Sequence, residues 1–340
     1  MATGVIVVTY HAEEVILDCL ESLLASRDVD LRILVVDNAS QDSTVSTIQS
    51  WAHGQHPWDG SNKPFQPVAH GPLPIVVGEE HIEMLPAGTI GVLRLSENQG
   101  FAAGVNAGLR VFIGMPEVAN FWILNPDCMA EANTAQMLVE KARTVGKFGI
   151  IGGRVFYTSP SLMVQSEGGR VNLWSGTCIP FNLGQIGRDV LEPPADALDY
   201  IAGSHMFVSR DFLAQAGLIP EDYFLYFEEV DWCLRRGDLP LLACAGAAVH
   251  HHGGHTIGSA TLAKAPSPLS AYFMTRSRLK FVARWHPVAL PYAWTYTLLK
   301  AARFLLRRQH ATGLAMMRAL LGRGPSRDIL ALIGRRDLPS

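Results

Sequence analysis

The sequence predicts an α/β protein with an open, mostly parallel sheet flanked by helices and a helical C-terminal extension. Three observations carry this. Short runs rich in β-branched residues, GVIVVTY at Gly4–Tyr10 and LRILVV at Leu31–Val36, are bounded by polar residues, as expected of strands buried on both faces. Stretches with helical spacing alternate with them, the rhythm of an α/β sheet. Charge divides the chain: residues 270–340 hold 13 Lys+Arg against 2 Asp+Glu, and residues 1–269 hold 15 against 29. These features predict an α/β body over 1–269 and a basic helical extension over 270–340.

After the first strand, residues 12–26 place Val15, Leu20, Leu23 and Leu24 at helical spacing. The second strand ends at Asp37, and the capping cluster SQDS predicts a helix over 40–51. Residues 53–91 break the rhythm with six prolines and read as a long insertion, partly loop. Strand 91–95, the Gly/Ala-rich helix 100–112, strand 121–124, helix 134–145 and strand 149–157 restore it. Residues 159–202 are irregular. Residues 202–208 lead into a helix over 211–216, residues 223–236 have helical spacing, and 241–249 is a strand. Residues 270–322 read as helical, with Arg and Lys on one side and Leu, Phe and Trp on the other.

Charged residues make up 17% of the 340 and apolar ones 48%. That excludes a wholly disordered chain and argues against a globally basic nucleic-acid binder. The five cysteines form no CxxC pair and read as reduced thiols of a cytoplasmic protein. The MATGVIVVTY start reads as a strand rather than a signal peptide. Lys300 interrupts the apolar stretch 288–299, which is too short to span a bilayer. The basic extension is placed either against the inner face of a membrane or against the acidic body.

Six groups of residues carry candidate chemistry. Asp37, at a strand end, can accept hydrogen bonds from a ribose or base, or cap the following turn. Glu97–Asn106 (ENQGFAAGVN) lets a ligand approach a helix N-terminus, or serves close helix–sheet packing. Asn125-Pro126-Asp127 can hold a hard divalent ion, or form a turn. Glu228-Glu229-Val230-Asp231-Trp232 crowds three carboxylates behind aromatic residues, which raises at least one pKa and suits a general base, or forms a helix N-terminus where the dipole favours acids. His250-His251-His252-Gly253-Gly254-His255 is a metal-ligand candidate. Arg276 and Arg278 can pair a phosphate, or form the basic face of a helix.

In their order, these segments resemble family-2 glycosyltransferases of the GT-A fold, and among them bacterial rhamnosyltransferase-like enzymes. The resemblance rests on VVTYHAEEVILDCLESL, VVDNASQDST, ENQGFAAGVNAGL, WILNPDC, GSHMFVSRDFLAQAGLIPEDYFLYFEEVDWCLR, AAVHHHGGHT and AYFMTRSRLKFVARWHP. It covers residues 4–287 apart from the insertion. It implies a nucleoside-diphosphate sugar donor, with deoxythymidine-diphosphate rhamnose favoured, and a glycan or lipid-linked acceptor in surface polysaccharide synthesis of the cell envelope. Thr9, Tyr10 and Asp37 would line the base and ribose, Asn98, Gly100 and Asn106 would lie near the nucleotide, and Arg276 would contact the diphosphate. Asp127 and His251 would hold Mg²⁺ or Mn²⁺. Glu229, with Glu228 beside it, takes the position of the base of an inverting displacement, where the family usually has Asp. Asp231 and Trp232 would shape the acceptor site. His11 stands where the family often has Asn.

Two other functions compete. A non-catalytic homologue would bind a nucleotide sugar or glycan without turnover. A sugar nucleotidyltransferase would want a Gly-rich loop with Arg and Lys after the first strand, where this chain has Tyr10-His11-Ala12-Glu13-Glu14.

Overall fold

A computed structural model describes residues 1–253 and 265–337. Its strands are β1 Ala2–Thr9, β2 Leu31–Asp37, β3 Ile75–Glu79, β4 Ile90–Arg94, β5 Val118–Leu124, β6 Cys128–Ala130, β7 Ile150–Tyr157, β8 Val164–Ser166, β9 Gly169–Asn172, β10 Thr177–Pro180, β11 His205–Ser209 and β12 Leu241–His251. Its α-helices are α1 Ile16–Leu24, α2 Thr44–Ala52, α3 Phe101–Ile113, α4 Thr134–Val145, α5 Arg210–Ala216, α6 Glu228–Leu234, α7 Pro268–Trp285, α8 Leu290–Leu306, α9 His310–Leu320 and α10 Arg327–Leu332.

One large sheet runs in the order β3-β4-β2-β1-β5-β11-β7-β12-β6, with β8 paired to β7. The first five strands are parallel, while β11 lies antiparallel between β5 and β7. Side-chain alternation divides the core between the two faces. Ile6, Val8, Leu34 and Val36 pack on the face covered by α3, and Val5, Val7, Ile33 and Val35 on the face covered by α1 and α2.

Several expected boundaries shift for local reasons. Helix α1 begins at Ile16 because residues 12–15 form a turn held by Thr44 Oγ1, which accepts from Ala12 N at 2.9 Å. Helix α2 begins at Thr44, since Asp37 and Asp42 draw the preceding amides into loop turns. The 223–236 stretch contributes only the short α6, because Phe224, Tyr226 and Phe227 take positive φ of 67°, 67° and 72°. Within the insertion, Ile75–Glu79 forms the edge strand β3. Its loop folds back on α1, where Trp58 Nε1 and Lys63 Nζ both donate to Asp18.

The Gly/Ala composition of α3 has a packing cause. A Cβ on Gly104 would lie 2.6 Å from Val8 Cγ1, and one on Gly108 2.7 Å from Ile6 Cγ2. The helix axis therefore sits closer to β1 than a larger residue would allow.

The basic extension is joined to the body by core and charge together. Phe281, Val282, Ala289 and Ala293 enter the main core. Arg284 pairs with Asp222 and Asp231 at 2.6 Å each, and Lys280 with Asp222 at 2.9 Å. Fully buried Asp231 also accepts from Tyr223 Oη at 2.6 Å and Arg235 Nε at 2.7 Å. Among the described residues, no helix is long and apolar enough to cross a membrane.

Two substitutions test these supports. Gly108→Val should cost about 1–3 kcal/mol by overpacking α3 on β1, read as a lower denaturation midpoint. Asp231→Ala should cost roughly 2–3 kcal/mol, because Arg284 and Tyr223 lose their shared acceptor while Arg284 keeps part of its hydration. An unchanged urea midpoint in Asp231→Ala would show that this carboxylate does not anchor α7.

Candidate active site

The parallel register brings three strand ends to one edge. Thr9 pairs with Asp37, and Val7 with Leu124, so the turn Asn125-Pro126-Asp127 opens beside Thr9. Ligands of open α/β sheets bind at this edge. A cavity of about 720 Å³ lies there, lined among others by Thr9, Tyr10, Asn98, Asp127, Gln165 and His251.

Strand β12 brings the histidine. It pairs antiparallel with β6 in the register His251–Cys128, setting His251 Nε2 3.0 Å from Asp127 Oδ1. Alternation along the strand turns the preceding residue the other way, where His250 Nε2 meets Glu131 Oε1 at 3.0 Å. Both histidines lie within β12, and their neighbour His255 lies outside the described residues. Gln165 Oε1 lies 2.6 Å from His251 Nδ1. An oxygen thus stands against each ring nitrogen, and the two contacts together fix the orientation of the imidazole. Burial alone would raise the Asp127 carboxyl. The facing His251 and its hydrogen bond, with His252 contributing less, outweigh this and hold it below the usual carboxylate range.

Asp127, His251 and Cys128 together could hold a metal ion. A carboxylate suits Mn²⁺ or Mg²⁺, and Mn²⁺ tolerates an imidazole beside it. The Cys128 thiol is fully buried and pushed well up by that burial, and it donates to Ser204 O at 3.7 Å. Its protonated state sets it apart from the two harder donors.

Elsewhere around the cavity, loops lock onto one another. Asn38 Nδ2 donates to Gly100 O at 3.0 Å, and Asn38 Oδ1 accepts from Gln99 N at 3.1 Å. Gly100 takes φ 92° directly under Phe224, where a Cβ would meet the Phe224 carbonyl oxygen at 2.3 Å, so this position requires glycine. His11 stacks on Tyr10 at 4.1 Å and takes φ 52°. That left-handed conformation is one Asn and His both tolerate, which accounts for His where the family often has Asn.

Asp37 is buried just below. It accepts from Thr9 Oγ1 at 3.2 Å and from Ser40 N at 3.1 Å, the turn-capping arrangement, and it is not among the cavity's lining residues.

The acid pair stands beyond a thin partition. Asn125 N donates to Ser204 O at 3.1 Å, and a Cβ on neighbouring Gly203 would lie 3.5 Å from Glu229 Cγ. The loop at 203–204 thus separates the Asp127 turn from Glu229. Three consecutive-turn aromatics in left-handed backbone precede α6, the kind of strain that collects at functional sites. Burial pushes Glu229 up to about 7 against opposing backbone N–H contacts. Burial, then the Glu229 charge, raises Glu228 well above the carboxylate range, and Glu228 Oε2 has no hydrogen-bond partner.

Other expected site residues lie elsewhere. Asn106 is buried in α3, where its side chain holds both the N–H and the C=O of Ile219 and also donates to Glu221. Asp231 is consumed by its anchoring of α7. Trp232 is fully buried, stacks edgewise on Phe212 and donates to Gly217 O. With no exposed surface, neither of the last two can touch an acceptor. Arg276 is partly buried on α7 and outside the cavity's lining, while Arg278 is buried and donates to Thr297 Oγ1 at 2.6 Å. Sequence reasoning passed over Asn38, hidden in a turn motif, and Gln165, a lone polar residue in an irregular segment. It also passed over Leu332 and Ile333, which line the cavity from the far end of the chain.

Comparison with known proteins agrees with this architecture. Residues 4–63 match the family described as Glycosyl transferase family 2. An N-acetylglucosaminyl-diphospho-decaprenol L-rhamnosyltransferase of Mycobacterium tuberculosis is 25% identical over 271 residues, covering 75% of this chain and 77% of the relative. Among solved structures, GalNAc-T7 with UDP, GalNAc and Mn²⁺ superposes with TM-score 0.55 at 11% identity, over 88% of this chain and 51% of that one. S. aureus TarS 1-349 with UDP-GlcNAc gives 0.51 at 14%, over 98% and 84%. The mannosyltransferase PcManGT from Pyrobaculum calidifontis, with GDP-Man and Mn²⁺, gives 0.50 at 14%, over 98% and 78%. The chain therefore has the GT-A fold of glycosyltransferases and its residues 4–63 match the family 2 model, so the resemblance read from its motifs is borne out.

Proposed function

We propose that the protein is an inverting, metal-dependent glycosyltransferase that moves a sugar, with rhamnose favoured, from a nucleoside-diphosphate donor to a glycan or lipid-linked acceptor in surface polysaccharide synthesis. The observation that carries this is the Asp127–His251 pair, 3.0 Å apart, at the mouth of a cavity of about 720 Å³ on the sheet edge. The rhamnosyl preference and the lipid-linked acceptor are supported by the name of the mycobacterial relative. The donor is favoured as deoxythymidine-diphosphate rhamnose.

Asp127 and His251 would hold Mn²⁺ or Mg²⁺, which when bound stabilises the charge of a leaving diphosphate. The chain's own groups do the rest. Gln165 Oε1, 2.6 Å from His251 Nδ1, orients the imidazole. Thr9, Tyr10 and Asn98 face the nucleotide end of the cavity, and Asp37 supports Thr9 from below. Glu229 takes the proton of the acceptor hydroxyl as its oxygen bonds to the anomeric carbon and the bond to the diphosphate breaks. Burial and the neighbouring Glu229 charge raise Glu228 well above the carboxylate range, which favours placing the negative charge of the pair on Glu229.

The lipid reading of the acceptor has a surface to match. Leu299, Leu306 and Leu314 are exposed on helices whose junction also exposes Arg303, Arg307 and Arg308. Apolar and cationic groups side by side suit an anionic membrane face. Leu299→Asp with Leu306→Asp should reduce sedimentation with anionic vesicles and leave donor hydrolysis unchanged. Equal sedimentation would assign these leucines no lipid role.

The decisive assay is release of nucleoside diphosphate from a panel of nucleotide sugars with Mn²⁺ or Mg²⁺. Release should be lost with EDTA and in Asp127→Ala. Transfer should fall about 10²–10⁴-fold in Glu229→Gln. Binding without turnover under every acceptor tried would favour the non-catalytic homologue, a reading supported by Glu229 standing outside the cavity's lining.

The raised Glu229 pKa fixes two signs. The base must be deprotonated, so kcat/KM should climb with pH and level off above about 7. The folded state also holds a proton that the unfolded chain releases near its ordinary value. This favours folding below that value and is lost as pH rises through about 7. Glu229→Gln should therefore melt higher than the parent at pH 8, with the gap closing at pH 5.

A further inference from the structure

The donor cavity has a wall supplied from more than two hundred residues away. Leu332 and Ile333 line it, at the end of α10. Tyr10 Oη donates to Leu332 O at 3.3 Å, and Asn98 Nδ2 donates to Ile333 O at 3.2 Å. Arg335 Nη1 donates to Asn98 O at 2.7 Å, and its Nη2 lies 3.5 Å from Glu97 Oε2. Ile329 and Ile333 are buried against Phe224, Leu269, Tyr272 and Phe273. The segment is thus fastened on one side to the loop at 97–100, and on the other to the aromatic loop that leads into Glu229.

Resting on the donor-site reading above, we propose that residues 327–335 form the nucleobase-end wall of the donor cavity and set which nucleoside diphosphate it accepts. Three observations converge on this. The Asp127–His251 pair would hold the diphosphate, and the segment is bonded to Tyr10 and Asn98, which the donor reading places around the nucleoside. The surfaces it helps enclose are flat or apolar: the Tyr10 ring stacked on His11, and the side chains of Leu332 and Ile333. With the segment seated, the cavity still measures about 720 Å³, within the roughly 300–1,000 Å³ of small-molecule sites. It is a wall and not a plug. By holding Tyr10 and Asn98 in place before a ligand arrives, it spares the cost of ordering them on binding.

The test uses the full chain and two substitutions, titrated calorimetrically with dTDP, UDP and GDP in the presence of Mn²⁺, and with pyrophosphate as a probe of the metal end alone. Arg335→Glu sets like charges against Glu97 and unseats the segment. Leu332→Trp fills the cavity from an exposed position, where folding is not at stake. Both should weaken the preferred nucleoside diphosphate by about fivefold or more, or change the order of preference, while pyrophosphate stays within about twofold. Equal nucleotide affinity in both variants would overturn the wall. Tighter binding in Arg335→Glu would also overturn it, and would identify the segment as an inhibitory plug. If the parent chain itself binds no nucleoside diphosphate, the donor reading fails and this inference with it.

Discussion

The contact between Asp127 and His251 is the constraint on which the rest of the site depends. It exists because β6, only three residues long, pairs with the end of β12. A slip of one residue there would turn His250 toward Asp127 and His251 toward Glu131. The pairing is held independently on both sides. Thr134 Oγ1 and Glu131 N bond to Ala248 O, and β12 runs parallel to β7 for most of its length. Gln165 then fixes the imidazole itself, with β8 seated on β7 so that the amide reaches Nδ1. Several elements therefore cooperate to aim one imidazole.

The acid loop shows the opposite economy. Here the fold spends stability. Three aromatic residues sit in left-handed backbone, and Glu228 is buried with an oxygen that has no partner. Each costs on the order of 1–3 kcal/mol. The surrounding aromatic packing offsets this, as Phe224 stacks on Phe273 and Phe227 packs on Phe281. What the cost sustains is a carboxylate beside Gly203 whose proton affinity lies near neutrality. A solvated helix start could hold three acids at no such cost, and it would leave them fully ionised.

Much of this was legible in the sequence, in proportion to how local its causes are. The strands β1, β2 and β5, and the acids at their ends, announce themselves through short apolar runs. The Gly/Ala character of α3 left two explanations open, and the close approach to Ile6 and Val8 fills most of its length with packing. Asn106 followed that helix into the core. Asp231 and Trp232 shared a motif with Glu229, but a helix turns successive side chains about 100° apart, and theirs turned inward. The Tyr10-to-Leu332 and Asn98-to-Ile333 contacts were invisible. They join positions remote in sequence through backbone carbonyls, which carry no side-chain signature.

The strong charge division between body and extension had two explanations, and the structure divides the residues between them. Arg284, Lys280 and Arg335 face body acids. Each is also near an element of the site: the first two brace the loop before the acid pair, and the third fastens the cavity wall. Arg303, Arg307 and Arg308 are exposed at the end of α8, beside exposed Leu306. The inward charges reach fixed acids at ion-pair distance, while the outward ones border apolar side chains that water does not favour. One composition bias thus does two physically distinct things. The division falls where α7, tied into the core through Phe281 and Val282, gives way to a helix with only Ala293, Thr297 and Ala301 buried.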